Sequence, residues 1–317
     1  MSPMKAWDVV VVGEVLGEFA SPSPFQQGSD ARFGISGDAL NVAAAAASAG
    51  ARTAIAAVLP DDELGDAAVR RMHDLGLSDA LVRRRPGTLG LYLVHSDPHG
   101  AREFFYARTG SAGSTLAPDD LDPAALAEAG AVVASGITGA ISRSARAALL
   151  VAAERSGRFV YDPNLRRGLT TADEARALLR EVAPHAWLVT PSSPGETTAL
   201  LDAADPLDAA RRTIALGATH AAVTCGADGV QLAGEAESWI DAVPAARVVD
   251  QSGAGDAFLG TLVARVVAGE TLPDAARAGT AAASLAVGIA GAATTIPSWD
   301  RVRDHLAAAG ATIRAAR

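Results

Sequence analysis

Short apolar strand patterns alternate with helix patterns along this chain of 317 residues, and this alternation constrains the fold more than any other feature. The first strand pattern is Asp8 to Gly13, and later ones include Ala54 to Leu59, Ala131 to Ser135 and His220 to Thr224. Strands separated by helices form parallel sheets, whose carboxyl ends share one edge where ligands bind. The alternation therefore predicts an α/β fold with a ligand crevice at one sheet edge.

One region breaks this alternation and predicts a small separate β-sheet. Thr88 to Ser96 and Ala101 to Arg108 alternate in hydropathy and flank the turn Asp97 to Gly100, which is typical of a hairpin. A lone hairpin that carries aromatic side chains needs a surface to cover. We expect this hairpin, with part of Glu14 to Phe33, to form a lid that excludes water from the active edge of the main sheet.

The most informative motif is a glycine turn, Gly253-Ala254-Gly255-Asp256, that opens an apolar helix pattern from Ala257 to Val267. The two glycines allow backbone amides to approach a ligand, and the helix N-terminus favours negative charge. A carboxylate at Asp256 conflicts with simple phosphate binding, because it repels the anion. Phosphoryl transfer to an alcohol resolves the conflict. Asp256 then accepts the proton of the attacking hydroxyl while the Gly253, Ala254 and Gly255 amides stabilise the transferring group.

Several other chemistries do not fit this sequence. A dinucleotide fingerprint needs a third glycine where Phe258 stands, and a Walker P-loop needs a lysine, whereas the only lysine is Lys5. The same lysine precedes the first strand, which argues against Schiff-base chemistry, and the six histidines have no metal-ligand spacing. A helix cap is the structural alternative for Asp256, and the helix dipole predicts that this carboxylate is a weak base.

Composition limits the partners. The net charge of −9 argues against nucleic acid or an anionic membrane as the main partner, so local arginines and amides must bind any substrate anion. A single cysteine, Cys225, excludes an internal disulfide and indicates a cytoplasmic protein. The N-terminal valine run is too short for a signal sequence. The uncharged stretch Ala278 to Ser298 is rich in Ala, Gly and Thr, so we expect a closely packed helix and no membrane span.

The motif Asp250-x-x-Gly253-Ala254-Gly255-Asp256-x-Phe258 resembles the C-terminal signature of ribokinase-like (PfkB) carbohydrate kinases. Gln251-Ser252 stands where that family usually has two residues ending in Thr, and the serine keeps a hydroxyl in place. The resemblance extends over nearly the whole chain. It implies one kinase domain over residues 1–317, with a three-layer α/β/α fold, a mainly parallel sheet, and a β-sheet lid from about residues 14–36 and 87–110.

A second stretch, Ser36-Gly37-Asp38-Ala39-Leu40-Asn41-Val42-Ala43, resembles the N-terminal sugar-binding motif of the same kinases, usually Gly-Gly-Asp-x-x-Asn-x-Ala. The match implies that Gly37, Asp38 and Asn41 contact sugar hydroxyls, and that Ser36 narrows the pocket. From the residues alone, Asp38 and Asn41 lie one turn apart at the start of a helix and can face one ligand. A plain helix cap is the alternative for Asp38.

The lid carries the information on the substrate. Gly90-Leu91-Tyr92 and Tyr106-x-Arg108-x-Gly110-Ser111-Ala112-x-Ser114 resemble the branch that phosphorylates 2-keto-3-deoxygluconate, which implies Tyr92, Tyr106 and Arg108 as substrate ligands. A carboxylate substrate calls for arginine, because the guanidinium fork donates two parallel hydrogen bonds to it. Packing within the lid is the alternative role for the two tyrosines. The family motif in Asp162-Pro163-Asn164-Leu165-Arg166 implies Arg166 as a second cation, although it can also be a surface arginine.

Further matches concern ATP and cations, which the resemblance implies as cofactors. Thr224, Gly226 and Gly229 line the ATP site by this match, and a helix from Ala278 to Val287 backs the adenine, with Thr280 where we expect asparagine.

The metal-binding predictions come from two further positions. Ser193-Pro194-Gly195-Glu196 resembles the family pattern Asn-x-x-Glu. It implies that Glu196 holds Mg²⁺ through water, since magnesium keeps much of its hydration shell. A helix cap is the alternative for Glu196. By the same resemblance, Asp250 helps to hold a monovalent cation such as K⁺.

Together these expectations describe an ATP-dependent kinase for the primary hydroxyl of 2-keto-3-deoxygluconate, with the 6-phosphate as product. One alternative is a kinase for a neutral ketose or nucleoside, such as fructose, ribose or adenosine, in which Arg108 is only structural. Another is a non-catalytic sugar-acid or nucleotide-binding protein, suggested by Ser36, Ser193 and Thr280. The intact Asp256 argues against the binding protein. An exposed lid edge predicts a homodimer through the lid.

Overall fold

The computed structural model describes residues 6–96, 102–289, 296–309 and 313–315. The strands within these residues are β1 (Val9–Val12), β2 (Leu16–Ser21), β3 (Arg32–Ser36), β4 (Thr53–Pro60), β5 (Val82–Arg85), β6 (Leu91–Ser96), β7 (Arg102–Ala107), β8 (Ala131–Ser135), β9 (Phe159–Asp162), β10 (Ala186–Val189), β11 (His220–Thr224), β12 (Gly229–Ala233), β13 (Ser238–Asp241) and β14 (Ile313–Ala315).

The α-helices within the same residues are α1 (Asp38–Ser48), α2 (Glu63–Asp74), α3 (Pro123–Glu128), α4 (Gly136–Ile141), α5 (Arg143–Arg155), α6 (Ala172–Val182), α7 (Gly195–Leu201), α8 (Pro206–Ala215), α9 (Ala254–Val267), α10 (Leu272–Ala286) and α11 (Trp299–Ala309). Short 3₁₀ turns lie at Gly113–Thr115, Pro118–Asp120 and Ala183–His185.

Ten of the described strands form one large sheet, in the order β14-β13-β12-β11-β10-β9-β8-β1-β4-β5. The strands from β11 to β5 in that order run parallel to one another, and antiparallel pairing adds β12, β13 and β14 at one side. In the centre, Val9 of β1 lies opposite Thr53 of β4 and Ala131 of β8. The prediction of a mainly parallel sheet is therefore confirmed.

Helices cover both faces of the large sheet, which explains why its central strands are apolar throughout. Val9 and Val11 belong to a core shared with α1, α2, α9 and α10. Val10 and Val12 point the other way, into a second core with α3, α5, α6, α7 and α8. This alternation within one strand produces the predicted three-layer α/β/α arrangement.

A second, small sheet has the order β3-β2-β6-β7. Its central pair, β2 and β6, is parallel, while β2–β3 and β6–β7 are antiparallel hairpin-type pairs. These strands fall in the two segments from which the sequence predicts a small β-sheet, so that sheet is confirmed. The predicted turn from Asp97 to Gly100 lies outside the described residues.

The alanine-rich helix α1 packs closely on α9, because small side chains let the two backbones approach. A Cβ atom added at Gly260 of α9 would lie 2.2 Å from the carbonyl oxygen of Val42 and 2.7 Å from the Cβ of Ala45. The two helix backbones therefore touch, and their N-terminal ends come together at the edge of the sheet. This contact brings the glycine turn next to the stretch from Ser36 to Ala43.

The helix expected from Ala278 begins earlier than predicted. It is α10, which starts at Leu272 behind Thr271, whose hydroxyl accepts a hydrogen bond from the Asp274 amide at 3.2 Å. The uncharged stretch hid this start, because the first turns of α10 contain charged residues. Residues 290–295 of the expected segment lie outside the described part. Among the described helices, none has the length and apolar character needed to cross a bilayer.

Candidate active site

Five neighbouring parallel strands bring polar residues to one edge of the large sheet. β8, β9 and β11 end in Ser135, Asp162 and Thr224, while Glu14 follows β1 and Ser192 follows β10. Because these strands are adjacent and run the same way, their carboxyl ends lie in one row. The edge predicted to bind ligands is thus lined with hydroxyl and carboxyl groups.

Asp256 lies beside this edge, in the first turn of α9. Gly253 precedes the helix with φ of 76°, a left-handed conformation that glycine adopts without strain. A Cβ atom added at Gly255 would meet no other atom within 4 Å, so space is open in front of this turn. Asn41 Nδ2 donates a hydrogen bond of 2.8 Å to Asp256 Oδ2. The α9 N-terminus and the sugar motif on α1 therefore form one site.

The pKa of Asp256 is raised from its ordinary value of 3.8 to about 7. Burial is the main cause and the negative charge of Asp38 adds to it, while Asn41 and Arg166 oppose the rise. The prediction of a weak base from the helix dipole is therefore wrong in direction, because desolvation outweighs the dipole. A carboxyl group that titrates near neutral pH is well suited to accept a proton from an alcohol.

Asp38 and Asn41 differ in their contacts. The Asp38 carboxylate accepts a hydrogen bond from Ser135 Oγ at the end of β8. Gly37 occupies the N-cap position of α1 and no side chain caps the helix, so the Asp38 side chain does not have the capping role. Asn41 gives its amide nitrogen to Asp256, and its buried Oδ1 has no protein partner among the described residues. This amide therefore orients Asp256 and keeps one acceptor for a ligand.

A second carboxyl group, Asp162, lies close to Asp256. Burial raises the pKa of Asp162 well above its usual range, and the negative charges of Glu196 and Asp256 add to the effect. The positive charge of Arg166 opposes the rise at both Asp162 and Asp256. Arg166 is exposed. It is thus a surface arginine by exposure, yet it acts electrostatically on two carboxyl groups of the site.

Glu196, predicted to hold Mg²⁺, is buried and joins two loops. Its Oε1 accepts the Leu165 amide at 2.5 Å, and its Oε2 accepts the Ser192 amide at 2.8 Å. The first amide belongs to the loop that carries Arg166, and the second follows β10. Each carboxylate oxygen keeps one lone pair, which suits a contact with hydrated magnesium. Within the described part of the chain, no group of three or more His, Cys, Asp or Glu residues is arranged to hold a metal directly.

The residues predicted to bind ATP lie on two different elements. Thr224, Gly226 and Gly229 form the β11–β12 connection, where the Cys225 amide donates to the Gly229 carbonyl at 2.8 Å. The Ser193 amide donates to the Thr224 carbonyl at 2.8 Å, which places this connection beside the Glu196 loop.

Thr280 and Asp250 have internal hydrogen bonds. The Thr280 hydroxyl donates to the Arg277 carbonyl within α10 at 2.8 Å. The buried Asp250 carboxylate accepts the Ser252 amide at 2.7 Å, and its own amide donates to the Val287 carbonyl at 3.0 Å. Asp250 thus ties the glycine turn to the end of α10.

One face of the small sheet carries Glu18, Tyr92 and Tyr106 in neighbouring cross-strand positions. The Tyr92 hydroxyl donates a hydrogen bond to the Glu18 carboxylate, and both side chains are buried. Burial, followed by the charge of Glu18, raises the pKa of Tyr92, so its hydroxyl stays protonated. The ring centroids of Tyr92 and Tyr106 are 6.1 Å apart, and Tyr106 is exposed. The positions of Tyr92 and Tyr106 are compatible with packing inside the small sheet and also with contact to a ligand.

Arg108, predicted to bind a substrate carboxylate, already has a protein partner. Its Nη2 lies 2.8 Å from Oε2 of Glu14, and both side chains are buried. Ser111 Oγ donates a hydrogen bond of 2.8 Å to Oε1 of Glu14. The Arg108 Nε is buried without a hydrogen-bond partner among the described residues. The guanidinium is therefore charge-balanced, but it keeps a donor that Glu14 does not use.

Sequence analysis did not identify four residues of this site as functional: Glu14, Glu18, Ser135 and Asp162. A usable signal existed for three of them, because Glu14 follows the first strand and Ser135 and Asp162 end two others. Carboxyl ends of adjacent parallel strands face one crevice, so polar residues at these positions are candidates by place alone. Glu18 lies inside a strand of the small sheet and carries no comparable signal.

A buried carboxyl group at a helix N-terminus, at the carboxyl edge of a parallel sheet and beside a small β-sheet, is the arrangement expected of ribokinase-like sugar kinases. A family model described as pfkB family carbohydrate kinase matches residues 7–299. The chain belongs to this family and is an ATP-dependent sugar kinase.

Individual relatives agree with this assignment. The chain is 32% identical to a 2-dehydro-3-deoxygluconokinase of Thermoproteus tenax over 92% of this chain and 91% of the relative. It is 31% identical to fructokinase-1 of Zea mays over 72% of each protein. A putative ribokinase II from E. coli, solved in complex with ATP and Mg²⁺, superposes with a TM-score of 0.85 at 21% identity, covering 95% of this chain and 99% of that chain.

Proposed function

We propose that this protein transfers the γ-phosphoryl group of ATP to the primary hydroxyl of 2-keto-3-deoxygluconate, also called 2-dehydro-3-deoxygluconate. The observation that carries the chemistry is the buried Asp256 carboxyl, whose pKa is raised to about 7 beside the N-terminus of α9. The proposed domain is the whole chain, with the small sheet acting as a lid over the substrate. The relatives named 2-dehydro-3-deoxygluconokinase support the substrate.

In the proposed reaction, Asp256 removes the proton from the sugar hydroxyl while the hydroxyl oxygen forms a bond to the γ-phosphorus. The bond between the γ-phosphorus and the β,γ-bridging oxygen breaks, and ADP leaves. The amides of Gly253 and Gly255 would stabilise charge on the transferring group. The Ala254 amide, which was predicted for the same role, donates to the Gln251 carbonyl at 3.3 Å and would have to give up that bond. Asn41 holds Asp256 in place through its 2.8 Å hydrogen bond.

The substrate would lie between α1 and the small sheet. Gly37, Asp38 and the free Oδ1 of Asn41 offer groups to sugar hydroxyls, and Tyr92 and Tyr106 border the same space. Arg108 donates to the substrate carboxylate with the nitrogens that Glu14 leaves unused. Arg166 contributes positive charge near the base.

Cation and nucleotide sites are also part of the proposal. Magnesium fits the residues present, because the negative charges of Glu196 and Asp256 act on Asp162 and a hydrated divalent ion would reduce that repulsion. Glu196 would hold it through water, and the bound ion would offset negative charge on the phosphates. Thr224, Gly226, Gly229 and Thr280 would line the ATP site, and Asp250 would support a K⁺ site through its loop.

A second candidate is a kinase for a neutral ketose such as fructose. The buried Glu14–Arg108 pair favours it, since an arginine whose charge is already balanced attracts a substrate carboxylate less strongly. The 31% identity to a fructokinase points the same way. In this alternative Asp256 keeps its role and Arg108 only supports the small sheet.

The test is ADP release with ATP, Mg²⁺ and K⁺ against 2-keto-3-deoxygluconate, its galactonate epimer, fructose, ribose and adenosine. We expect turnover on the keto acids, and we expect Arg108→Ala to raise KM for the keto acid more than KM for ATP. Turnover on a neutral sugar alone would reject the keto-acid substrate while leaving Asp256 as base. Equal effects of Arg108→Ala on both KM values would reject its carboxylate role.

We also propose a homodimer through the small sheet. Its edge strands β3 and β7 carry the exposed aromatic side chains Phe33 and Phe105, 39% and 49% exposed. Unpaired edge strands and exposed aromatic rings favour association. Sedimentation of wild type and a Phe33→Ser, Phe105→Ser variant measures this directly, and a monomeric wild type at assay concentration would contradict the proposal.

A further inference from the structure

The chain passes between the large and small sheets four times, and all four passages include or contact one residue, Glu14. The passages are β1 to β2, β3 to α1, β5 to β6, and β7 to the segment before α3. Glu14 itself lies in the first. A Cβ atom added at Gly37, in the second, would lie 2.9 Å from the Glu14 carbonyl oxygen.

The third and fourth passages close around the Glu14 side chain itself. A Cβ atom added at Gly90 would lie 2.6 Å from Glu14 Oε1, and one added at Gly113 would lie 2.5 Å from Glu14 Cγ. Ser111 Oγ donates to the same Oε1 at 2.8 Å, and Arg108 Nη2 lies 2.8 Å from Oε2. Any larger residue at Gly90 or Gly113 would collide with the Glu14 side chain, so these two glycines leave the space that the side chain fills.

The charge of this side chain fits such a connecting role. Glu14 is 2% exposed and Arg108 is 6% exposed, so neither charge is screened by water. A buried charge that loses its partner is strongly destabilising. The side chains of Glu14 and Arg108 must therefore keep rotamers that hold them together. The guanidinium is planar, so an ion pair at Nη2 limits the directions in which its other nitrogens can donate.

We propose that Glu14 is a positioning residue that sets the direction of the Arg108 guanidinium and the angle of the small sheet over the site. Glu14 does not contact substrate in this proposal, and it acts through Arg108 and the four passages. The proposal rests on the proposed function only in naming a carboxylate substrate for Arg108. The part that concerns the small sheet holds for any sugar.

The test combines kinetics with hydrogen exchange of the full-length protein. Glu14→Gln keeps the size of the side chain and an acceptor for Ser111 but removes the charge. We expect faster amide exchange in β6 and β7, a fall in kcat on the keto acid on the order of tenfold, and an unchanged KM for ATP. Adding Arg108→Ala to Glu14→Gln should cause little further loss, since the two residues act as one unit.

Glu270→Gln is the matched control, because it removes another carboxylate paired with arginine, at 2.5 Å from Arg265 Nη2, in the connection between α9 and α10 and outside all four passages. It should leave exchange in β6 and β7 and kcat unchanged. Should Glu14→Gln fail to fold, Ser111→Ala removes only one contact to Glu14 and should raise exchange in the same strands to a smaller degree.

Two outcomes separate this proposal from the proposed function. Wild-type exchange in β6 and β7 of Glu14→Gln, or losses from Glu14→Gln and Arg108→Ala that simply multiply, would overturn the positioning role even if keto acids are the substrates. Turnover on neutral sugars alone would overturn the keto-acid function, yet faster exchange in Glu14→Gln would still support Glu14 as the residue that sets the small sheet.

Discussion

Asp256→Asn is expected to remove most turnover and, at the same time, to stabilise the fold above neutral pH. Folding raises the pKa of this carboxyl from 3.8 to about 7, mainly by burial, so ionising it is harder in the folded protein than in the unfolded chain. The cost is absent well below pH 4, grows between pH 4 and 7, and is complete above pH 7. Asparagine has no charge and avoids the cost.

The magnitude follows from the size of the shift. A pKa that folding raises by about three corresponds to a cost of about 4 kcal/mol at pH 8 and about 0.5 kcal/mol at pH 4. These values are upper bounds for the gain in unfolding free energy on substitution with asparagine. The Asn41 hydrogen bond survives, because the new amide can turn its oxygen to Asn41 Nδ2. Loss of a general base lowers kcat by about 10² to 10⁴.

The assay is urea unfolding followed by circular dichroism at pH 5 and pH 8, together with ADP release. Asp208→Asn is the matched control, because hydrogen bonds from Arg212 and the Ala204 amide lower the pKa of Asp208. Its effect should have the opposite sign and the same size at pH 5 and pH 8, because a lowered pKa contributes its full stability at every pH well above the ordinary value of 3.8. A gain for Asp256→Asn that is the same at both pH values would refute the burial argument, and wild-type kcat would refute the base.

Three further predictions concern the same site and its support. Asp38→Asn should move the acidic limb of the kcat profile to lower pH, because removing that negative charge lowers the pKa of Asp256; an unmoved limb contradicts their coupling. Glu196→Gln should raise the half-saturating Mg²⁺ concentration on the order of tenfold, and an unchanged value in a Mg²⁺ titration rejects the metal role. Gly260→Ala should lower the urea midpoint strongly, since the new Cβ would lie 2.2 Å from a carbonyl oxygen of α1, whereas Gly195→Ala meets nothing within 4 Å and should not.

The strands and the chemical motifs were predictable because their signals are local. Apolar runs bounded by glycine gave β8 and β11 at their observed limits, and the glycine turn identified Asp256 from its immediate neighbours. The contact between Asn41 and Asp256 was not predictable in the same way, since it joins residues 215 positions apart through the packing of α1 on α9. The family motifs implied that both residues belong to the active site of a sugar kinase, but they did not predict the hydrogen bond between them.

The electrostatics were the least predictable part. The helix dipole at Asp256 can be inferred from sequence, but the burial that outweighs it depends on how α1, α9 and the sheet edge enclose the side chain. The same is true of Arg108, whose motif suggests a free clamp while the fold pairs it with Glu14. Both cases have one cause, because a local pattern gives a side chain its type and the tertiary structure decides its partners.

The two arginines of the site match a substrate that carries charge and reactive hydroxyl at opposite ends. Arg166 acts on Asp162 and Asp256, so its positive charge lies on the side of the proposed base, where the phosphoryl group would be transferred. Arg108 lies at the base of the small sheet with Glu14. A keto acid has its carboxylate at one end of its carbon chain and the primary hydroxyl at the other, so each end would meet one arginine. A neutral ketose would use only the first, which makes Arg108→Ala the variant that separates the two substrates.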